Sequence, residues 1–361
     1  MCYFIEMYLF GVENDVKKIK KTAFFILKLA IAGAVIYVLA ARNPREIADC
    51  FRSFDLVWLV PALFFYLLHM QICALRWYRL THVLNVQLGK FEAVSLTMQG
   101  YFFSLVIPGG AIGGDVVKMG VLAKRTPPGA RMEGAFTILM DRIVGMIALF
   151  VLALILLCFT APLLLNVRIP GVEIPAEWKF LPVAAIAGIC VAGLGASCVI
   201  FMHKTVEKIP FCKKFLGVMD DKTHGLVNRL ISAADTYKQQ WREVLKLCVL
   251  SVFGVHLMTV VPFACILCGL GVSFSPLCLV AAVTIGNIIG LIPIFPSGVG
   301  GRDVATILIL IAGGISAADA KTGQLLYTAI VLFANLLGGL FFLLDPGRKN
   351  MKELLAESEN E

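Results

Sequence analysis

Two short stretches carry the residue types best suited to chemistry: Pro108-Gly109-Gly110-Ala111-Ile112-Gly113-Gly114-Asp115 and Pro296-Ser297-Gly298-Val299-Gly300-Gly301-Arg302-Asp303. In each, glycines lead to an Asp placed seven positions after the Pro. A glycine-rich break in an apolar helix leaves backbone N–H groups without intrahelical partners. Such groups can hold an anionic headgroup at the positive end of the helix that restarts there. Asp115 and Asp303 suit two roles. They can cap the restarting helices, accepting hydrogen bonds from the free amides, or they can meet a cationic substrate group or a proton. Lys118 and Arg302 add positive charge to the same places.

Asp141-Arg142 is the other charged feature inside an apolar run. Charge within a membrane span is costly and marks function by default. Adjacent helical residues diverge by about 100°, so each is expected to pair with a different element. Arg142 can hold a phosphate bidentately while staying charged at any relevant pH; a structural pair with a neighbouring hairpin is the equal alternative. His69 and His256 read as hydrogen-bonded helix contacts rather than proton relays, and Asn287 and Asn335 as candidates for hydrogen bonds between helices. Arg76-Trp77-Tyr78-Arg79 reads as an interfacial anchor. No catalytic constellation emerges: the sequence has no Walker A loop, no Gly-x-Ser-x-Gly and no His-Glu-x-x-His. The eleven cysteines and five histidines show no zinc-ligand spacing, so neither a metal nor a cofactor is expected.

These residues must be positioned by membrane helices. Of 361 residues, 59% are hydrophobic and 16% charged, with a mean hydropathy of +0.86. Soluble domains are nearer about 45–50% and about 25%, which excludes a soluble enzyme, a disordered protein and a disulfide scaffold. Apolar runs long enough to cross a bilayer occupy 22–41, 56–75, 134–159, 181–202, 244–268 and 324–344. The stretches 91–123 and 277–315 are also apolar but are broken at the two Pro/Gly motifs. Paired broken helices at corresponding positions point to an internal repeat, with half-repeats at about 22–159 and 181–344 in one membrane domain over 1–361.

Charge sets the expected topology. If each broken stretch enters and leaves on one side, 23 of the 32 Lys and Arg fall on the cytoplasmic side and six outside, with both termini cytoplasmic. A single crossing at 91–123 would expose the nine basic residues of 203–246 outside, against the positive-inside rule. The count favours an even number of passes without separating a re-entrant hairpin from two short spans. The repeats are then inverted. The segment 203–243 reads as a basic amphipathic helix on an anionic leaflet, with partner docking as the alternative.

The motif set resembles the lysylphosphatidylglycerol synthase transmembrane-region family. The carriers are Arg76-Trp77, the stretch from Pro108 to Asp115, Asp141-Arg142 with Gly145, and the stretch from Pro296 to Asp303. Two positions depart from the family's usual pattern, Ser297 where it has Gly and Asp303 where it has Glu. The resemblance covers about 20–345 and implies an all-α polytopic membrane fold, a flippase-like membrane domain moving polar lipids between leaflets. The family's separate lysyltransferase domain is expected to be absent. Expected substrate-binding residues are Arg142, Asp141, Arg302, Asp303, Asp115, Lys118, Gly109, Gly110, Gly113, Gly114, Gly298, Gly300 and Gly301. Expected partners are membrane lipids and a separate lipid-modifying synthase or transferase, with no nucleic acid. The expected location is the cell membrane. An intramembrane enzyme, or a membrane subunit acting on lipid-linked or polyprenyl-phosphate substrates, is the alternative.

Overall fold

The computed structural model describes residues 44–106, 111–125, 131–167, 175–201, 226–291 and 300–344. The expected first span, 22–41, lies outside them, as do Gly109, Gly110 and Gly298. The described residues form helices with no strand. In chain order these are α1 (Pro44–Ser53), α2 (Leu59–Val83), α3 (Lys90–Val106), α4 (Ala111–Arg125), α5 (Arg131–Leu165), α6 (Leu181–Phe201), α7 (Leu226–Gln239), α8 (Trp241–Leu250), α9 (Val260–Gly269), α10 (Pro276–Gly290), α11 (Gly301–Ala312) and α12 (Ala317–Leu343).

Among the described residues, five helical segments are long and apolar enough to cross a membrane: Leu56–Val83, Met132–Leu165, Leu181–Cys198, Trp241–Gly269 and Ala317–Leu343. They coincide with five of the six expected spans. The chain is a multi-pass helical membrane protein. Its outer surface shows why: Phe64, Phe159, Phe253 and Leu336 are exposed, which suits a hydrocarbon solvent and not water. The span Trp241–Gly269 is not uniform, because a π-helical turn over Ser251–Leu257 joins α8 to α9.

Local chemistry sets several helix ends. Ser275 caps α10, with Pro276 at the first helical position, where its missing N–H costs nothing. The Ser316 hydroxyl accepts from the Asp319 amide at the start of α12. Gly300 is the N-cap of α11, and its φ of +103° suits glycine.

α3 packs on α4, and α10 on α11. Contact is backbone to backbone in the first: a Cβ at Gly114 would overlap the carbonyl of Gly100. The order long helix, short pair, long helix occurs twice, as α2, α3–α4, α5 and then α8–α9, α10–α11, α12. Packing between these two sets is reciprocal. α3 lies against α12 and α10 against α5, while α2 lies against α9. The main apolar core sits where they meet, around Met70, Phe263, Ile266, Leu279 and Leu310.

The expected surface helix is only partly of that kind. In α7, Ala233, Ala234 and Tyr237 are buried against Phe136 and Met140 of α5 and Leu80 of α2. The Tyr237 hydroxyl donates to the Leu80 carbonyl at 2.8 Å. This part of the apolar face is spent on protein rather than on a leaflet. Tyr237→Phe is expected to cost about 1 kcal/mol, the worth of one hydrogen bond, measured as thermal stability in detergent.

Candidate functional site

The first group of charges lies where α2, α4 and α5 meet the π-helical turn. Asp141 and Arg142 do diverge as neighbours on a helix must, and each finds a different partner. Arg76 of α2 donates to Asp141 twice, Nε to Oδ1 at 2.8 Å and Nη2 to Oδ2 at 3.1 Å. Its Nη1 donates to the Ser251 hydroxyl at 3.0 Å. Arg142 points to α4, with Nε 2.6 Å from Asp115 Oδ2 and Nη2 2.9 Å from Oδ1. Both are side-on forks, the geometry that makes Arg–carboxylate pairs strong and directional.

Their surroundings differ. The Arg76 side chain is 7% exposed and Arg142 is 47% exposed. Gly145 makes room for the first guanidinium: a Cβ there would sit 3.0 Å from Arg76 Nη1. The Gly145 carbonyl accepts from His256 Nε2 at 2.9 Å, so His256 is the hydrogen-bonded helix contact expected of it. Lys118 is buried, with Nζ 3.4 Å from the ring centroid of Trp77. Trp77 in turn donates through Nε1 to Thr137 Oγ1 at 3.1 Å. Three basic groups (Arg76, Lys118, Arg142) thus share a layer with two acidic ones (Asp115, Asp141). The layer is net positive, which favours an anion.

The second group is sealed. Arg302 and Asp303 are buried. Asp303 Oδ1 accepts from Arg302 Nε at 2.9 Å and from Gln324 Nε2 at 2.8 Å. Asp303 Oδ2 accepts from the Gly300 amide at 3.2 Å. Arg302 Nη2 donates to Thr328 Oγ1 at 3.1 Å, and its Cζ lies 5.4 Å from the Tyr327 ring centroid. Three donors surround one carboxylate, so Asp303 is both helix cap and ion-pair partner. Gly301 is the first residue of α11.

The two Asp residues, matched in sequence, therefore play different roles. α4 begins at Ala111, which puts Asp115 in its second turn rather than at its cap. The capping role expected of Asp115 is replaced by the pair with Arg142. Gly113 and Gly114 lie in the first turn of α4, buried. No ion pair joins the two groups among the described residues.

One expectation is overturned. Arg76-Trp77 is not an interfacial anchor, because Trp77 is fully buried and Arg76 nearly so. The apolar run was expected to end at 75, but α2 continues to Val83 and carries both residues inward; only Arg79 of the tetrapeptide is exposed. Asn335 also departs from expectation: its buried Oδ1 has no hydrogen-bond partner among the described residues. Gln324, Thr328, Tyr327 and Ser251 carried no sequence signal, being ordinary residues of apolar helices. Among the described residues, no cluster of His, Cys, Asp or Glu could hold a metal ion.

A family model, that of the lysylphosphatidylglycerol synthase TM region, matches residues 25–339. The chain belongs to the lysylphosphatidylglycerol synthase transmembrane-region family. The match covers both ionic groups and every described span except the last four residues of α12. The chain is 24% identical over 314 residues to a UPF0104 membrane protein of Methanothermobacter thermautotrophicus, covering 83% of this chain and 87% of that protein. It is 22% identical over 343 residues to a UPF0104 membrane protein of Pyrococcus horikoshii, covering 93% and 99%. No solved structure matches.

Proposed function

We propose that the protein moves lipids with polar, anionic headgroups between leaflets. The observation that carries this is the half-exposed fork of Arg142 and Asp115 beside buried Lys118. A phosphate arriving there would find a guanidinium already oriented by its carboxylate and a second cation in a low-dielectric wall. Its acyl chains would stay in lipid.

The helix lengths support the broken stretches as re-entrant hairpins. α10 has 15 residues, α4 15 and α11 12. At 1.5 Å per residue these reach about 18–23 Å, short of the ~30 Å hydrocarbon core. Repeated element order and reciprocal packing support the inverted repeat. The basic-residue count supports a cell-membrane protein with both termini cytoplasmic. On this reading, the open Arg142 group and the sealed Arg302 group are the two ends of an alternating-access cycle, exchanged by rocking one half against the other. A separate lipid-modifying synthase or transferase would supply the cargo. Both carboxylates that an intramembrane enzyme would need, Asp115 and Asp303, are committed to arginines, which favours transport over acid/base chemistry.

Reconstitution with fluorescent anionic, aminoacylated and polyprenyl-phosphate lipids tests this, read by dithionite or protease accessibility. Wild-type protein is expected to accelerate movement of at least one class over empty vesicles. Arg142→Gln is expected to slow it about tenfold, the loss of one charged hydrogen-bonding contact. Rates equal to empty vesicles for all three classes would overturn the proposal.

A further inference from the structure

A polar stripe on one face of α2 runs between the two ionic groups. Tyr66, His69, Cys73 and Arg76 follow one another at intervals of three, four and three residues. That spacing aligns them along one side of the helix over about 15 Å. All four are buried. The Tyr66 ring lies 6.2 Å from that of Tyr327 and 5.5 Å from that of His69. His69 Nδ1 is 3.9 Å from Cys73 Sγ. Tyr327 sits against Arg302 at one end, while Arg76 holds Asp141 at the other. The stripe therefore belongs to one ionic group through Arg76 and reaches the other through Tyr327.

The groups that face His69 can be named by element. Tyr66 and Cys73 flank it on α2. Tyr101 of α3 meets Cys73, and Tyr327 of α12 meets Tyr66. His256 of the π-helical turn is within electrostatic reach. α9, packed along α2, contributes no charged residue. Histidine is the side chain suited to change charge between pH 5 and 8, whereas arginines stay charged and tyrosines neutral. A buried ionisable group in a span is costly and points to ion or proton traffic.

Set in this stripe, His69 is more than the helix contact its place in a span suggests: we propose that lipid movement is coupled to a proton it carries, an inference that rests on the transport reading above. One proton is taken from water reaching the stripe at one hairpin and bonds to the imidazole. That N–H then breaks and returns the proton to water at the other hairpin; no other bond changes. The coupling is electrostatic. Arg76 and Arg302 are each balanced by a carboxylate, so protonated His69 adds the one unbalanced positive charge between them, and an arriving anionic headgroup stabilises it. By reciprocity, the proton strengthens headgroup binding.

The test uses full-length protein in vesicles containing fluorescent phosphatidylglycerol and an entrapped pH dye. With a gradient of about one pH unit, coupling of one proton per lipid drives up to about tenfold asymmetry in lipid distribution, together with lipid-dependent proton entry. His69→Gln is expected to abolish both while leaving slow, gradient-independent lipid movement. The exposed His82→Gln is expected to retain both. Lipid movement in the wild type with no proton entry and no effect of the gradient would overturn the coupling and leave the transport reading standing. Coupling that survives His69→Gln would overturn the role of His69. Absence of any lipid movement would overturn the transport reading and this one with it. The wild-type proton measurement decides the coupling even if the variant fails to fold.

Discussion

Replacing Arg76 by Met is expected to destabilise the protein by about 3–5 kcal/mol, the cost of leaving one charge of a buried pair without its partner. The reasoning runs through geometry. Arg76 satisfies both oxygens of Asp141 and also the Ser251 hydroxyl, tying α2, α5 and the π-helical turn together. Methionine fills much of the space but supplies no donor, so the Asp141 carboxylate must either find water or take up a proton. Replacing both members together, Arg76→Met with Asp141→Leu, removes the stranded charge and is expected to recover most of the loss, since apolar replacements of buried pairs are often neutral or better. Thermal and denaturant unfolding in detergent decide it. Single and double variants of equal stability would show that the pair does not carry this load. Because the pair lies in a wall of the proposed headgroup site, the double variant also separates folding from transport: it should fold and move lipid poorly.

The second large effect is expected at Gly338, where α12 crosses α3. A Cβ there would overlap the carbonyl of Met98, a backbone atom that no rotamer change can move. Small residues let membrane helices approach closely, and α3 is held by glycine on both sides, at Gly338 and at Gly114 of α4. Gly338→Val is expected to push α12 off α3 and cost about 1–3 kcal/mol or more, as overpacking does. Gly120→Ala is the matching control. Nothing lies within 4 Å of a Cβ at Gly120, and alanine there should gain up to about 1 kcal/mol of helix propensity. A Gly338→Val protein as stable as the wild type would show that the α3–α12 contact tolerates separation. Lipid movement should fall with Gly338→Val if α3–α4 and α12 must move as fitted surfaces.

Much of the site could be named before any coordinates. The Pro/Gly breaks, Asp115, Asp141, Arg142, Arg302 and Asp303 were conspicuous because charge is rare in apolar runs and because Pro with clustered Gly interrupts a helix. Arg76 was visible but misread. At the end of an apolar run, Arg-Trp looks like an interfacial anchor, and nothing local says that the helix continues for two more turns. Gln324, Thr328 and Ser251 were invisible, since polar uncharged residues are tolerated in spans and gain meaning only from what they face.

The sequence by itself determined the solvent, the class and the candidate residues. Runs of about twenty apolar residues dictate helices in a bilayer, and their two interruptions locate the polar centre. Those are properties of composition and order along one chain. Only the tertiary structure decided which carboxylate each arginine holds, that Asp303 caps its helix while Asp115 does not, and that one ionic group is open and the other sealed. Pairing and burial depend on which helices meet and at what depth. That is set by close contacts such as Gly338 on Met98 and Gly114 on Gly100, between residues that the chain order keeps apart.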